Sequence, residues 1–149
     1  KILFITAIFF SIFLNVYNIY KLHPFQNVYF NFLVEKQANK LFVIDYWGLA
    51  NKRALEKIIN DSNNKKIDIG TASFTTFEHS RYMFEKKKVE NIIFSGNANL
   101  NQDYIFTNYV FDRNPKYQRK YKIPKGYKKI FETKKGNIMI NEVYKKTKY

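Results

Sequence analysis

From Ile2 to Tyr20 the chain runs nineteen residues without a charge. As a helix rising about 1.5 Å per residue, that segment reaches roughly 28 Å. The hydrocarbon core of a bilayer is about 30 Å thick. The polar members are Thr6, Ser11, Asn15 and Asn18. At helical spacing the last three fall in one sector. Amides and hydroxyls in lipid normally turn toward other protein. The stripe therefore predicts a helix packed against neighbours that this sequence does not contain. A signal peptide would close on small residues at a cleavage site, and "NVYNIYKLHPF" offers no small pair. A buried helix of a soluble domain is disfavoured by the lack of charge on every face. Residues 1–21 are thus read as a transmembrane helix, the last span of a larger protein. The opening Lys1, where a Met would begin a complete frame, fits a fragment or a processed chain.

Pro24 prevents regular continuation of that helix and disfavours the α conformation at His23. Residues 22–40 are expected to form an interfacial linker, irregular apart from a short helix around Tyr29–Leu33. Tyr17, Tyr20, Phe25, Tyr29 and Lys21 have the make-up of an interfacial belt, where amphipathic rings and a snorkelling lysine settle. Gln26, Asn27 and Asn31 supply amides to satisfy irregular backbone at that depth.

Beyond residue 40 the patterning changes. Leu41–Ile44 is a candidate buried strand closed by Gly48. "NKRALEKIIND" places Ala54, Leu55, Ile58 and Ile59 at helical spacing, with Asn51 as N-cap. "KKIDIGTAS" alternates at Ile67 and Ile69 as a strand does. "TTFEHSRYMFEKKK" reads as a helix capped by Thr75 or Thr76, with Phe77, Tyr82, Met83 and Phe84 giving apolar surface. "ENIIFSG" is a short apolar run bounded by Gly96, hence a buried strand, and "DYIFTNYVF" is rich in strand formers. "DRNPKYQRKYKIPKG" is a charged, proline-containing loop. Residues 127–146 form two strand-like runs about Lys135–Gly136–Asn137, a hairpin. Strand–helix–strand units with short connections predict parallel pairing, with the hairpin adding an antiparallel edge. The expectation is an α/β fold: an N-terminal transmembrane helix, then a small mixed-sheet α/β domain over residues 41–149 with a C-terminal β-hairpin.

The formal net charge is +14. That balance suits an anionic partner such as nucleic acid or acidic lipid. Yet Lys, Asn, Ile, Phe and Tyr make up over half of the chain, the residues of A+T-rich codons, and only four basic residues are Arg. Arginine is the better fork for phosphate recognition, so codon bias accounts for the charge more simply and nucleic acid is not expected as a partner. The absence of cysteine removes disulfides and thiolate zinc sites.

Chemistry-bearing motifs are scarce. "GTASFTT" lies between a predicted strand and helix, where a phosphate could meet a helix N-terminus, but it lacks P-loop spacing and its lysine. The two histidines, His23 and His79, sit in different predicted elements without carboxylates at ligand spacing, so no metal site is assigned. Asp45, Asp68, Asp103 and Asp112 are scattered. "KYQRKYKIPKGYKK" interleaves charge and Tyr in a way that could meet single-stranded nucleic acid or anionic lipid; a solvated loop is the simpler reading. The chain by itself carries no assignable catalytic residue.

"HPFQNVYFN" (23–31) followed by "DYWGLANKRALEKI" (45–58) resembles the C-terminal region of bacterial membrane glycosyltransferases of the C-type superfamily. These are polytopic enzymes related to dolichyl-phosphate-mannose mannosyltransferases. His23, Pro24, Phe25, Gln26, Val28, Tyr29, Phe30 and Asn31 match the first motif, with Asn27 as its variable position. Asp45, Tyr46, Trp47, Gly48 and Leu49 match the second. The resemblance implies an inner-membrane enzyme whose last span leads into a small extracytoplasmic domain comprising residues 22–149. It implies transfer of a sugar from a polyprenyl-phosphate donor, held by upstream helices, to a lipid, glycan or protein acceptor. The family's catalytic carboxylate lies in an early loop with no counterpart here, so the domain would be non-catalytic alone. No cofactor is assigned to these residues, although the parent enzyme could use a divalent metal. The implied substrate or interface candidates are His23, Gln26, Asn27, Tyr29, Asn31, Asp45, Tyr46 and Trp47. Asp45 is expected to cap or hydrogen-bond locally, and Trp47 to bury its ring in the core. The alternative is a single-span, membrane-anchored basic protein that binds anionic glycans, lipids or nucleic acid.

Overall fold

The computed structural model describes residues 1–31, 33–110 and 121–147. Helix α1 spans Ile2–Leu22. It contains neither Gly nor Pro, and at about 1.5 Å per residue it is roughly 32 Å long. The sequence ends it as expected, with Pro24 two residues beyond. None of its residues is buried, and it is long and apolar enough to cross a membrane. Thr6 Oγ1 donates to the Ile2 carbonyl at 3.0 Å, and Asn15 Nδ2 to the Ser11 carbonyl at 2.8 Å. These polar groups are thereby partly satisfied within the helix itself.

The rest is an α/β fold on a five-stranded mixed sheet of order β2-β1-β3-β5-β4. Strand β1 (Ile67–Thr71) pairs in parallel with β2 (Ile92–Asn97) on one side and β3 (Tyr104–Thr107) on the other. Strands β4 (Tyr127–Lys135) and β5 (Ile138–Lys146) form the expected hairpin, and β5 runs antiparallel to β3. Gly136 opens the two-residue turn at φ +56°, a conformation that favours glycine.

Short helix α2 covers Ala38–Leu41 and helix α3 covers Asn51–Ser62. The periodicity of α3 is realised: Ala54, Leu55 and Ile58 are buried against Ile67, Ile69, Tyr104, Phe106 and Val143. Phe77 stacks on Phe106 with ring centroids 3.9 Å apart. Each large side chain so buried contributes about 1.5–3 kcal/mol. The helix stops where Asn63 and Asn64 adopt φ of 52° and 59°, the left-handed conformation that asparagine tolerates.

Several expectations are corrected. Leu41–Ile44 is not a buried strand: Leu41 ends α2, and Leu41, Phe42 and Val43 are exposed, with Ile44 alone of the four inside. The run is apolar, but α2 packs beside β5, which is already paired on both sides by β3 and β4. Among the described residues Tyr29, Phe30, Asn31 and Leu33 are not helical, and single 3-10 turns form at Gln26–Val28 and Glu35–Gln37. Asn51 is the first residue of α3 and does not cap it. "TTFEHSRYMFEKKK" forms a seven-residue 3-10 helix, Phe77–Met83, and a short α4, Lys86–Val89. Phe77 is buried there, whereas Tyr82 and Met83 are exposed. Strand β2 is an exposed edge, not a buried strand. Phe111 and most of the loop expected at 112–126 lie outside the described residues.

Two polar networks hold the sheet. The Gln102 amide is fully buried, donates to the Asn97 carbonyl at 3.0 Å and accepts from Asn99 N–H at 2.7 Å. It lies against Gly70, where a Cβ would overlap it. On β5, the buried Glu142 carboxylate accepts from the Tyr109 and Tyr144 hydroxyls and, at 3.0 Å, from Lys129 Nζ. Burial pushes its pKa up, but these three donors outweigh burial and hold it below the ordinary value. Burial and the same carboxylate raise the Tyr144 phenol to about 12.

Candidate functional site

The residues singled out by the two motifs gather where α1 meets the domain. Pro24 turns the chain, and Phe25 drops into a second core, only 1 % exposed, with Val28, Ala38, Ile44, Ala50, Ile138 and Ile140. Phe25 is therefore a core residue and not part of an interfacial belt, while Tyr17, Tyr20 and Tyr29 remain exposed. The Arg53 guanidinium carbon stands 4.9 Å from the Phe25 ring centroid, and Lys135 Nζ stands 5.8 Å from it. Such contacts draw the cations onto the ring through its quadrupole.

The amides act as expected in part. Gln26 Nε2 reaches back to the Ile19 carbonyl at 3.3 Å and to His23 Nδ1 at 3.0 Å, closing the end of α1. Asn31 Oδ1 accepts from Leu33 N–H at 3.1 Å and Val34 N–H at 3.3 Å, an Asx turn. Asn27 instead donates to Asp45 Oδ1 at 3.2 Å. Asp45 also accepts from Leu49 N–H and Ala50 N–H, both at 2.9 Å. Its carboxylate thus satisfies backbone donors in the turn that leads into α3, a structural task matching the local role expected of it. Gly48 completes the tight turn at φ +69°.

Trp47 departs from the burial expected of it. Trp47 is 79 % exposed and meets Tyr46 edge-on at 5.3 Å between centroids. With Leu41, Phe42, Val43 and Leu49 they form an exposed apolar rim beside the foot of α1, tied to the linker by the Phe30–Phe42 contact at 5.1 Å. An exposed aromatic surface of this kind marks an interaction face.

A cleft of about 320 Å³ opens between the last turn of α1 and the β4–β5 turn. Asn18, Lys21, Tyr29, Asn31, Glu35 and Lys135 supply its polar lining. A smaller cleft of about 140 Å³ continues along α1 past Asn15 and Ile19, sharing Asn18, Leu22 and Tyr29 with the first. The asparagine stripe therefore lines these clefts at its lower end. Four contributors escaped sequence reasoning: Glu35, Asn39, Arg53 and Lys135. Glu35 Oε1 accepts from Asn137 N–H at 2.9 Å. Asn39 pairs with the backbone of Met139 in both directions, at 2.6 and 3.0 Å. These contacts join residues about a hundred positions apart, which no local pattern announces.

Elsewhere the "GTASFTT" loop spends its backbone donors on β3's continuation: Ala72 N–H on the Phe106 carbonyl at 2.7 Å and Phe74 N–H on the Val110 carbonyl at 2.6 Å. Those donors are not free to cradle a phosphate. A cleft of about 780 Å³ lies at the far end of β5, where Lys145 and Asp61 pair at 2.7 Å. His79 is exposed. Among the described residues no group of three His, Cys, Asp or Glu side chains could hold a metal ion. The foot of α1 gathers cations, amides and one carboxylate, a set of groups that can bind a polar ligand. Compared with known protein families, with characterised proteins and with solved structures, the chain finds no match.

Proposed function

We propose that this chain is the C-terminal, extracytoplasmic, non-catalytic part of a bacterial polytopic glycosyltransferase of the C-type superfamily. In that reading the parent enzyme moves a sugar from a polyprenyl-phosphate donor to a lipid, glycan or protein acceptor, and this domain covers the acceptor side. One observation carries the reading: α1 buries none of its residues, yet is fastened to a well-packed domain through the motif residues Phe25, Gln26 and Asn27. An apolar helix with an amide stripe and no partner is suited to a bundle of further spans. The exposed rim around Trp47 would then rest on the membrane surface or on those neighbouring helices.

The chain has no cysteine, which makes a direct test simple. A single Lys86→Cys variant of the whole protein, in intact cells, is treated with a membrane-impermeant maleimide. Labelling from outside the inner membrane is expected. Protection until the cells are lysed would place the domain in the cytoplasm and sink the assignment. Sugar transfer from a polyprenyl-phosphate donor by the purified whole protein, lost when residues 23–149 are removed, would establish the activity.

The net charge of +14 favours a second reading, a membrane-anchored basic binding protein. Affinity for anionic glycans that falls steeply with salt would support it.

A further inference from the structure

We propose that the cleft at the foot of α1 is a receptor for the headgroup of an anionic phospholipid. The inference rests on α1 being a membrane span. Lys21, from the last turn of α1, and Lys135, from the hairpin, line the cleft, and Lys135 shares the face of the buried Phe25 ring with Arg53 of α3. Lys135 Nζ stands 3.5 Å from the Lys21 carbonyl and 5.8 Å from the ring centroid, with Arg53 at 4.9 Å from the same centroid. Among the described residues none of the three forms an ion pair with a carboxylate. Glu35 is the acidic side chain lining the cleft, and its Oε1 is engaged by the Asn137 N–H. Like charges gathered at a protein surface repel one another unless an anion enters among them.

The surroundings specify the anion further. Asn18 and Asn31 bring amides to the same walls, and the exposed Tyr29 brings a hydroxyl, donors suited to phosphate oxygens. The position also matters. Lys21 is in the last turn of α1, so a spanning helix would hold the cleft at headgroup depth. A free phosphate would need only the larger cleft. The smaller one runs from it along α1, past Ile19 and Leu22, and offers a track for the glycerol and upper acyl chain. Headgroup and chain sites in line along a spanning helix fit a lipid and not a soluble anion.

The test uses the full chain and vesicles. Flotation with pure phosphatidylcholine vesicles reports on α1 alone; failure to float there would overturn both the span and the lipid site. Binding of phosphatidylglycerol is then measured in neutral detergent by native mass spectrometry, beside phosphatidylcholine and inorganic phosphate. One saturable phosphatidylglycerol is expected, with weaker phosphatidylcholine binding and little competition from phosphate. The pair Lys21→Gln and Lys135→Gln should weaken it roughly 25-fold, about fivefold for each lysine. Lys86→Gln with Lys88→Gln, the same charge change beside the opposite edge strand, should leave it unchanged. Equal loss in both pairs would reduce the effect to overall charge and overturn the site. Phosphate competing as well as the lipid would overturn the lipid assignment while leaving flotation intact.

Discussion

The two hydrophobic cores of this molecule are built by different rules. The core under α3 is assembled from regular elements: one helix face and the inward positions of neighbouring strands. The core at the foot of α1 is assembled from turns, with Phe25 and Val28 from the linker, Ile44 and Ala50 from the segment before α3, and Ile138 and Ile140 from β5. The first is held by periodicity. The second is held by placed side chains: Asp45 on α3, Asn39 on β5, Glu35 on the hairpin turn. Irregular backbone can form a core only when such groups satisfy its donors and acceptors, and here most of them come from the motif and its neighbours.

The comparison can be pressed by substitution. Phe25→Ala should cost about 3–5 kcal/mol and Leu55→Ala about 2–5 kcal/mol in denaturant melts of the full chain. If the foot of α1 were only a flexible tether, Phe25→Ala would be nearly silent while Leu55→Ala would not. Asp45→Ala comes next, at about 1–2 kcal/mol, because it strips two backbone N–H groups and Asn27 of their acceptor. Asp45→Asn should recover part of that loss. Glu142 provides a milder probe of the regular sheet. Its folded pKa is depressed, so its contribution is complete above the unfolded value near 4.5 and is lost as pH falls through the lower folded value. The urea midpoint of the native protein should therefore drop more steeply below about pH 4.5 than that of Glu142→Gln. The smallest effect belongs to Trp47→Ala, within about 0.5 kcal/mol, since the ring is exposed. A large loss of stability there would mean that the rim is covered within the folded protein.

The regular half was legible because its signals are local. Ala54, Leu55 and Ile58 repeat at helical spacing, Ile67 and Ile69 alternate, and Gly136–Asn137 announces a turn. The other half was misread where composition stood in for geometry. "LFVI" has the make-up of a buried strand, but burial requires an open sheet position, and β5 is already flanked by β3 and β4. The size of Trp47 suggests burial, but size predicts burial only if a partner surface exists. The motif residues lie near one another in the fold, yet the contacts of Phe25 with Lys135 and of Asn39 with Met139 depend on where a distant hairpin lands. That information is in the packing of the whole chain and not in any window of it.

Phe25 lies three residues beyond α1, and its ring is clamped by cations from α3 and the hairpin. Lys135 also touches the carbonyl end of the helix. The same lysine thus joins the end of the rod, the ring beneath it and the hairpin that closes the sheet.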